Sequence, residues 1–296
     1  MKPHFIFFSF LITVTFTNFI SAQDDDIIKV DSSLVVLNAT ITDSNGKPVG
    51  ALKQNEFKLL EDGKEQKILF FEAETTPFAA VILIDTSGSM EARVSLARSA
   101  AINFLDSLRI DDVVSIYNFD SKVSLIQDFS NSRDIAYNAY DLKAYGYTVL
   151  NDAIFQAAQE LVRRVEKRRA IIVLSDGMDT KSGKSSDKAL KAALLANATI
   201  YTVDMSATDT GGRDKMQNQG VLKNFAEKSG GKFIATAGGT AMREAFKNIV
   251  GELGTQYTLG FQPESTAKDG KWHTLEIVVA RPNLQIRSRK GYNAPK

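Results

Sequence analysis

Ala79-Ala80-Val81-Ile82-Leu83-Ile84-Asp85-Thr86-Ser87-Gly88-Ser89-Met90 is the stretch on which the reading of this chain turns. An unbroken apolar run, closed by a Ser/Gly turn and followed by a helical pattern, reads as a central strand of a parallel sheet, because a strand covered on both faces needs no polar alternation. Open sheets bind ligands beyond the carboxyl ends of such strands. Asp85, Ser87 and Ser89 are delivered to that end together. They offer hard oxygen atoms and a single negative charge, a set that suits Mg²⁺ or Mn²⁺ far better than zinc or copper.

Outward from this stretch, the chain from Ala79 to about Gly254 alternates short apolar runs with longer periodic segments, as β/α folds do. Strands are predicted at 79–84, 113–119, 123–128, 170–175, 199–204 and 232–235. Helices are predicted at about 92–108, 132–143, 150–166, 185–196, 219–229 and 239–254. The last shows its period well, with Met242, Ala245, Phe246, Ile249, Val250 and Leu253 on one stripe that should pack on the sheet. The strands at 113–119 and 123–128 are close enough for a hairpin, so one edge strand should run antiparallel. The expected fold is α/β, a doubly wound, mostly parallel six-stranded sheet with helices on both faces. Two later segments bring oxygen atoms back to the same sheet end. Thr148 lies in the loop Tyr145-Gly146-Tyr147-Thr148 that opens a helix, and Asp176 closes the buried strand Ala170-Ile171-Ile172-Val173-Leu174-Ser175 as Asp85 closes its own.

On these residues the chain resembles a von Willebrand factor type A domain with its metal-ion-dependent adhesion site, a pattern of D-x-S-x-S, then T, then D. The positions here are Asp85, Ser87, Ser89, Thr148 and Asp176, and the resemblance covers about 77–254. It implies hydroxyl ligation of a divalent cation by Ser87 and Ser89, with Thr148 and Asp176 reaching the metal directly or through water and Asp85 orienting waters and hydroxyls. It also implies that the remaining coordination position takes a carboxylate from a protein partner. The threonine loop departs from the Gly-Gly-Thr common in relatives, with Tyr147 in place of the second glycine.

With Asp85 orienting waters and hydroxyls, one carboxylate and three neutral hydroxyls are left to hold a divalent ion, which stays undercompensated, so an outside acid can join it at a net gain. Mg²⁺ is the expected ion, with Mn²⁺ as the substitute. Such a site should bind rather than cut, and the chain is not expected to be an enzyme. A metal-dependent hydrolase would need a general base beside the activated water, yet the histidines are His4 near the start and His273 far outside the motifs. Asp179 is the remaining candidate base, and capping of the loop or helix after Gly177 is its simpler role. A structural envelope module without metal-dependent binding is the other alternative. The segment Ala207–Gly220, with Gly211, Gly212, Arg213, Asp214 and Lys215, reads as a loop on the metal face, either a partner-binding rim or plain surface.

The flanks carry strand chemistry of their own. Val35, Leu37, Ala39 and Ile41 alternate with Val36, Asn38, Thr40 and Thr42 before a turn at Asn45-Gly46, and a hairpin is expected around Asp62-Gly63. On the carboxyl side come Tyr257 to Phe261, a turn around Asp269-Gly270, the alternating Leu275, Ile277 and Val279, and then Leu284 and Ile286. Neither flank alone holds enough strands for a stable sheet, so the two should pair. That makes a discontinuous β-sandwich-like domain from 27–76 and 256–294, with the domain at 77–254 inserted in it. The arrangement also resembles bacterial exported proteins that embed a type A module in such flanks, with a Glu61-Asp62-Gly63 hairpin and a terminal Arg289-Lys290-Gly291-Tyr292.

Composition bounds the rest. Of 36 Lys and Arg residues one is Lys2, and the remainder balance 35 Asp and Glu, so nucleic acid is not an expected partner. The absence of cysteine excludes disulfide scaffolds, thiolate metal sites and lipid attachment through a cysteine. Residues 1–22 combine a basic start, an apolar stretch from Phe5 to Ile20 broken by Ser9, Thr13, Thr15, Thr17 and Asn18, and a small residue at Ala22. They read as a signal peptide whose removal leaves no stable membrane span, with an uncleaved anchor as the lesser alternative. The product is expected in the periplasm, at the cell surface or in the medium.

Overall fold

The computed structural model describes residues 34–73, 76–206, 212–235, 239–263 and 270–294. The signal segment and the start of the amino-terminal flank lie outside the described residues, as does Asp269 of the expected turn. The first flank gives β1 (Val35–Thr42), β2 (Phe57–Glu61), β3 (Lys64–Gln66) and β4 (Phe70–Glu72). The middle of the chain then runs through β5 (Phe78–Asp85), α1 (Val94–Asp106), β6 (Val113–Phe119), β7 (Val123–Ser130), α2 (Leu150–Val162) and β8 (Arg168–Ser175). It continues with α3 (Ser186–Leu195), β9 (Ala198–Asp204), α4 (Arg213–Ser229), β10 (Phe233–Ala235) and α5 (Gly239–Thr255). The carboxyl flank adds β11 (Tyr257–Phe261), β12 (Trp272–Val279), β13 (Gln285–Ser288) and β14 (Gly291–Asn293).

The central sheet has the order β10-β9-β8-β5-β6-β7. Its pairings are parallel except for the β6–β7 hairpin at one edge, which is the mixed α/β sheet expected from the sequence. Every residue of β5 is buried, and the strand divides its side chains by parity. Ala80, Ile82 and Ile84 pack with α1 and α5 on one face, while Ala79, Val81 and Leu83 pack with α2, α3 and α4 on the other. Burying one such side chain contributes about 1.5–3 kcal/mol, so this run has no competing polar use. The α5 stripe read from the sequence packs as expected, with Met242, Phe246, Ile249, Val250 and Leu253 buried and Ala245 half-buried.

Strands of the two flanks pair with each other. One sheet has the order β13-β1-β11-β4 and the other β14-β12-β2-β3, so each mixes amino-side and carboxyl-side strands. Leu37, Ala39 and Ile41 from β1, Leu59 from β2, Tyr257, Leu259 and Phe261 from β11, and Leu275, Ile277 and Val279 from β12 share one core. The β2–β3 hairpin turns at Asp62 (φ 49°) and Gly63 (φ 79°), the left-handed pair that a two-residue turn of this twist requires. Polar side chains join these sheets to the central domain. Glu252 of α5, buried, pairs with Arg287 of β13. The buried Arg289 guanidinium donates to the Leu194 and Val36 carbonyls at 3.1 and 2.6 Å.

Two helices differ from expectation. At 132–143 there is no α-helix, only a 3-10 turn over Tyr137–Asp141. Ser130 and Ser132 hydroxyls take the backbone N–H groups of Ser132 and Asp134 at 3.0 and 3.1 Å, local bonds that compete with helix formation. The segment read as a loop up to Gly220 is instead the first half of α4, which begins at Arg213 with Asp214 in its first turn; residues 207–211 lie outside the described residues. An acid there suits the helix dipole, and Gly220, with open space around it, costs the exposed helix only about 1 kcal/mol. Among the described residues, no helix is long and apolar enough to cross a membrane.

Candidate metal centre

Asp85 stands at the last position of β5, and β8 runs beside it in a register that pairs Ile84 with Leu174. The chain leaves β5 toward β6 on one side and returns at β8 on the other, so the β5/β8 boundary is the switch point where doubly wound sheets open a crevice. Ser175 therefore meets Asp85 across the boundary, its hydroxyl donating to Asp85 Oδ2 at 2.5 Å. Asp85 Oδ1 accepts the Ser87 N–H at 2.9 Å, and the Ser87 and Ser89 hydroxyls lie 3.2 Å apart. Thr86, buried between them, is clipped to the end of β6, donating its N–H to the Phe119 carbonyl at 2.8 Å and accepting from Asn118 at 3.0 Å.

Hydrogen bonds stitch the other two loops to this one. Gly88 N–H donates to the Gly146 carbonyl at 3.3 Å, and Tyr145 N–H donates to the Thr86 carbonyl at 2.8 Å. Gly146 has φ 77°, and any Cβ there would run into the Ser121 hydroxyl, so this glycine is structurally required. Tyr147, at the position where relatives often have a second glycine, keeps ordinary backbone and turns its ring outward beneath Lys181, whose Nζ lies 4.6 Å from the ring centre. Thr148 is buried and held to the loop after Asp176. Its N–H donates to Thr180 Oγ1 at 2.9 Å and its carbonyl accepts from Thr180 and Lys181, each at 3.0 Å.

Burial grades across the set. Asp85, Ser87 and Thr148 are buried, Asp176 is half-buried and Ser89 is exposed, so the group opens to solvent on the Ser89 and Asp176 side. Burial above all pushes the Asp85 carboxyl up from 3.8 to about 6; the Ser175 and Ser87 hydrogen bonds oppose this, and the neighbouring charge of Asp176 adds to it. Asp85 thus has only neutral donors, and among the described residues no basic side chain forms an ion pair with Asp85 or Asp176. A buried acid without a counter-charge is the environment that a cation would relieve. No group of three or more His, Asp or Glu side chains suited to a metal exists among the described residues, so an ion here would rely on hydroxyl oxygens, which Mg²⁺ accepts. The residues fit such an ion.

Asp179 has the capping role. Its Oδ2 accepts the Asn151 N–H at 2.8 Å and the Ser182 hydroxyl at 2.7 Å, and Ser182 Oγ accepts the Asp152 N–H at 3.2 Å. The loop after Asp176 thereby supplies the N-terminal cap of α2 from about 30 residues away, and Asp152 returns the favour to Gly183 and Lys184 at 2.9 and 2.8 Å. Ser175 is the supporting residue that the sequence reading missed. Its signal was faint, a serine next to an acid at a strand end, and only the β5/β8 register shows what it touches.

Residues 80–178 match the family model of the von Willebrand factor type A domain. An uncharacterized protein of Synechocystis sp. is 30% identical over 160 residues, covering 52% of this chain and 36% of that protein, so the chain spans about a third of the length of this curated relative. Among solved structures, a von Willebrand factor type A protein from Catenulispora acidiphila superposes with a TM-score of 0.50 at 12% identity, covering 89% of this chain and 75% of that one. The three N-terminal domains of the type V pili tip protein Mfa5 from Porphyromonas gingivalis superpose with a TM-score of 0.51 at 11% identity, covering 88% and 68%. By the sequence match over residues 80–178 and by the fold that surrounds them, this part of the chain is similar to a von Willebrand factor type A domain.

Proposed function

We propose that this chain is an exported, adhesion-type module that recognises an acidic group on a partner protein through a divalent cation, Mg²⁺ or its substitute Mn²⁺. Ser87, Ser89 and Thr148 hydroxyls and the Asp176 carboxylate would hold the ion, with Asp85 beneath them as the buried counter-charge that orients the Ser87 backbone. The ion would supply one electrophilic coordination position, and the exposed side at Ser89 is where a partner's carboxylate would enter.

The observation that carries this reading is Asp85 itself, fully buried at the switch point with hydrogen bonds from neutral donors alone. Asp179, the candidate base read from the sequence, has both oxygens engaged in capping. That supports binding over turnover. The match of residues 80–178 to the family model, and the pilus-tip protein that is similar in fold, are in keeping with a role at the cell exterior.

The test is retention of envelope proteins from the parent cell by the immobilised chain, in Mg²⁺ and in chelator, beside a Ser87→Ala variant. Retention that needs Mg²⁺ and fails in the variant is expected. Equal retention in chelator would instead make the chain a structural module.

A further inference from the structure

The chain's eight tyrosines divide sharply. Tyr117, Tyr201, Tyr257 and Tyr292 are buried, whereas Tyr137, Tyr140, Tyr145 and Tyr147 are all exposed and fall in the one loop that leads into Thr148. Tyr145 is 78% exposed and Tyr147 57%, and apolar ring surface left in water at one place marks a contact surface more often than an accident.

Their backbone is fixed while their rings are free. Tyr145 N–H is bound to the Thr86 carbonyl and Tyr147 N–H to Ser121 Oγ at 3.1 Å, with Gly146 tied to Gly88 between them. Both rings are thus mounted on the same hydrogen-bonded frame as Ser87 and Thr148. Lys181, whose backbone is bound to the Thr148 carbonyl, places its ammonium over the Tyr147 ring, and Arg98 does the same over Tyr140 at 5.2 Å. Tyrosines on a fixed backbone, two of them with a cation against the ring, have the composition of interface hot spots, and little backbone ordering cost remains to be met on binding.

We infer that Tyr145, Tyr147 and Lys181 form a selectivity rim that favours extended acidic peptide segments carrying an apolar or aromatic residue two positions from the carboxylate. The inference rests on the metal-centre reading, which places that carboxylate beside Thr148. In an extended segment, side chains two residues apart share a face and lie about 7 Å apart, so a residue two positions from the carboxylate faces the protein as the carboxylate does, and the tyrosine loop that leads into Thr148 is the surface it would meet there. The Lys181 charge suits a segment with further acid nearby.

The test uses the full chain and surface-immobilised synthetic peptides, an aspartate set in glycines and the same peptide with tyrosine or leucine two positions away, in Mg²⁺ and in chelator. The apolar residue should strengthen binding about tenfold, the scale of one good aromatic contact. A Tyr145→Ser/Tyr147→Ser variant of unchanged circular dichroism should lose that gain while binding the glycine-set peptide as the unaltered chain does. The rim is overturned if the unaltered chain shows no such preference, if the double variant keeps it, if no peptide binds, or if an oligomeric uronic acid binds better than every peptide. Peptide binding that persists in chelator with its tyrosine preference intact would instead strike the metal-centre reading alone.

Discussion

Replacing Asp85 with Asn should stabilise the metal-free chain at neutral pH. The native carboxyl rises from 3.8 to about 6, about two units, so ionising it in the folded state costs about 3 kcal/mol at 1.36 kcal/mol per unit. The substituted amide keeps an oxygen for the Ser87 N–H, but its NH₂ group meets the Ser175 hydroxyl, whose proton then loses the acceptor it has at 2.5 Å. That loss costs about 1–2 kcal/mol, leaving a net gain of about 1–2 kcal/mol. The sign follows from linkage. With the folded pKa raised, the native state holds the proton more tightly than the unfolded chain, so the wild-type chain is favoured at low pH and loses this stabilisation as pH rises from about 4 to about 6. The variant should therefore be the less stable form at pH 4 and the more stable one at pH 7.5, both in chelator. Saturating Mg²⁺ should invert the order at pH 7.5, because a ligand at a hundredfold its dissociation constant adds about 2.7 kcal/mol to the form that binds it. Urea unfolding followed by far-ultraviolet circular dichroism reads all three conditions. A variant that is the less stable form in chelator at pH 7.5, or that gains from Mg²⁺ as much as the wild-type chain, would refute the reasoning.

Gly146→Ala should lower Mg²⁺ affinity at least about tenfold, since a side chain at φ 77° meets Ser121 and shifts the loop carrying Thr148; calorimetric titration that finds unchanged affinity would detach that loop from the site. Arg287→Ala should cost about 3 kcal/mol in urea unfolding, because it strands the buried Glu252 carboxylate, and a loss below about 1 kcal/mol would show that water reaches Glu252. Asp179→Ala should cost about 1 kcal/mol through the α2 cap with Mg²⁺ affinity nearly intact, whereas abolished metal binding would give Asp179 a role beyond capping.

What could be read from the sequence was set by how local the causing physics is. β5 and β8 were legible to within two residues because an unbroken apolar run has few other uses in a folded chain, and α5 because its stripe repeats over four turns. Asp85, Ser87 and Ser89 were legible as a group because they are neighbours along the chain. Arg168, wholly buried at the start of β8 and donating to the Gly254 carbonyl at the end of α5 at 2.8 Å, was not, since an arginine carries no sign in sequence of the carbonyls it will meet. The pairing of Ser175 with Asp85 and the capping of α2 by Asp179 join residues 90 and 28 positions apart, and only strand register and loop packing bring them together. At 132–143 and 213–218 the period misled, because serine hydroxyls withdrew backbone donors from one helix and glycines concealed the start of the other.

Calorimetric titration of the chelator-stripped chain with Mg²⁺ at pH 7.5, beside Asp176→Ala, decides whether the loops at Asp85, Thr148 and Asp176 hold an ion. Uptake of one equivalent is expected, with binding abolished in a variant whose circular dichroism is unchanged. No uptake by the wild-type chain, or uptake undiminished in the variant, would contradict a metal centre at this sheet end.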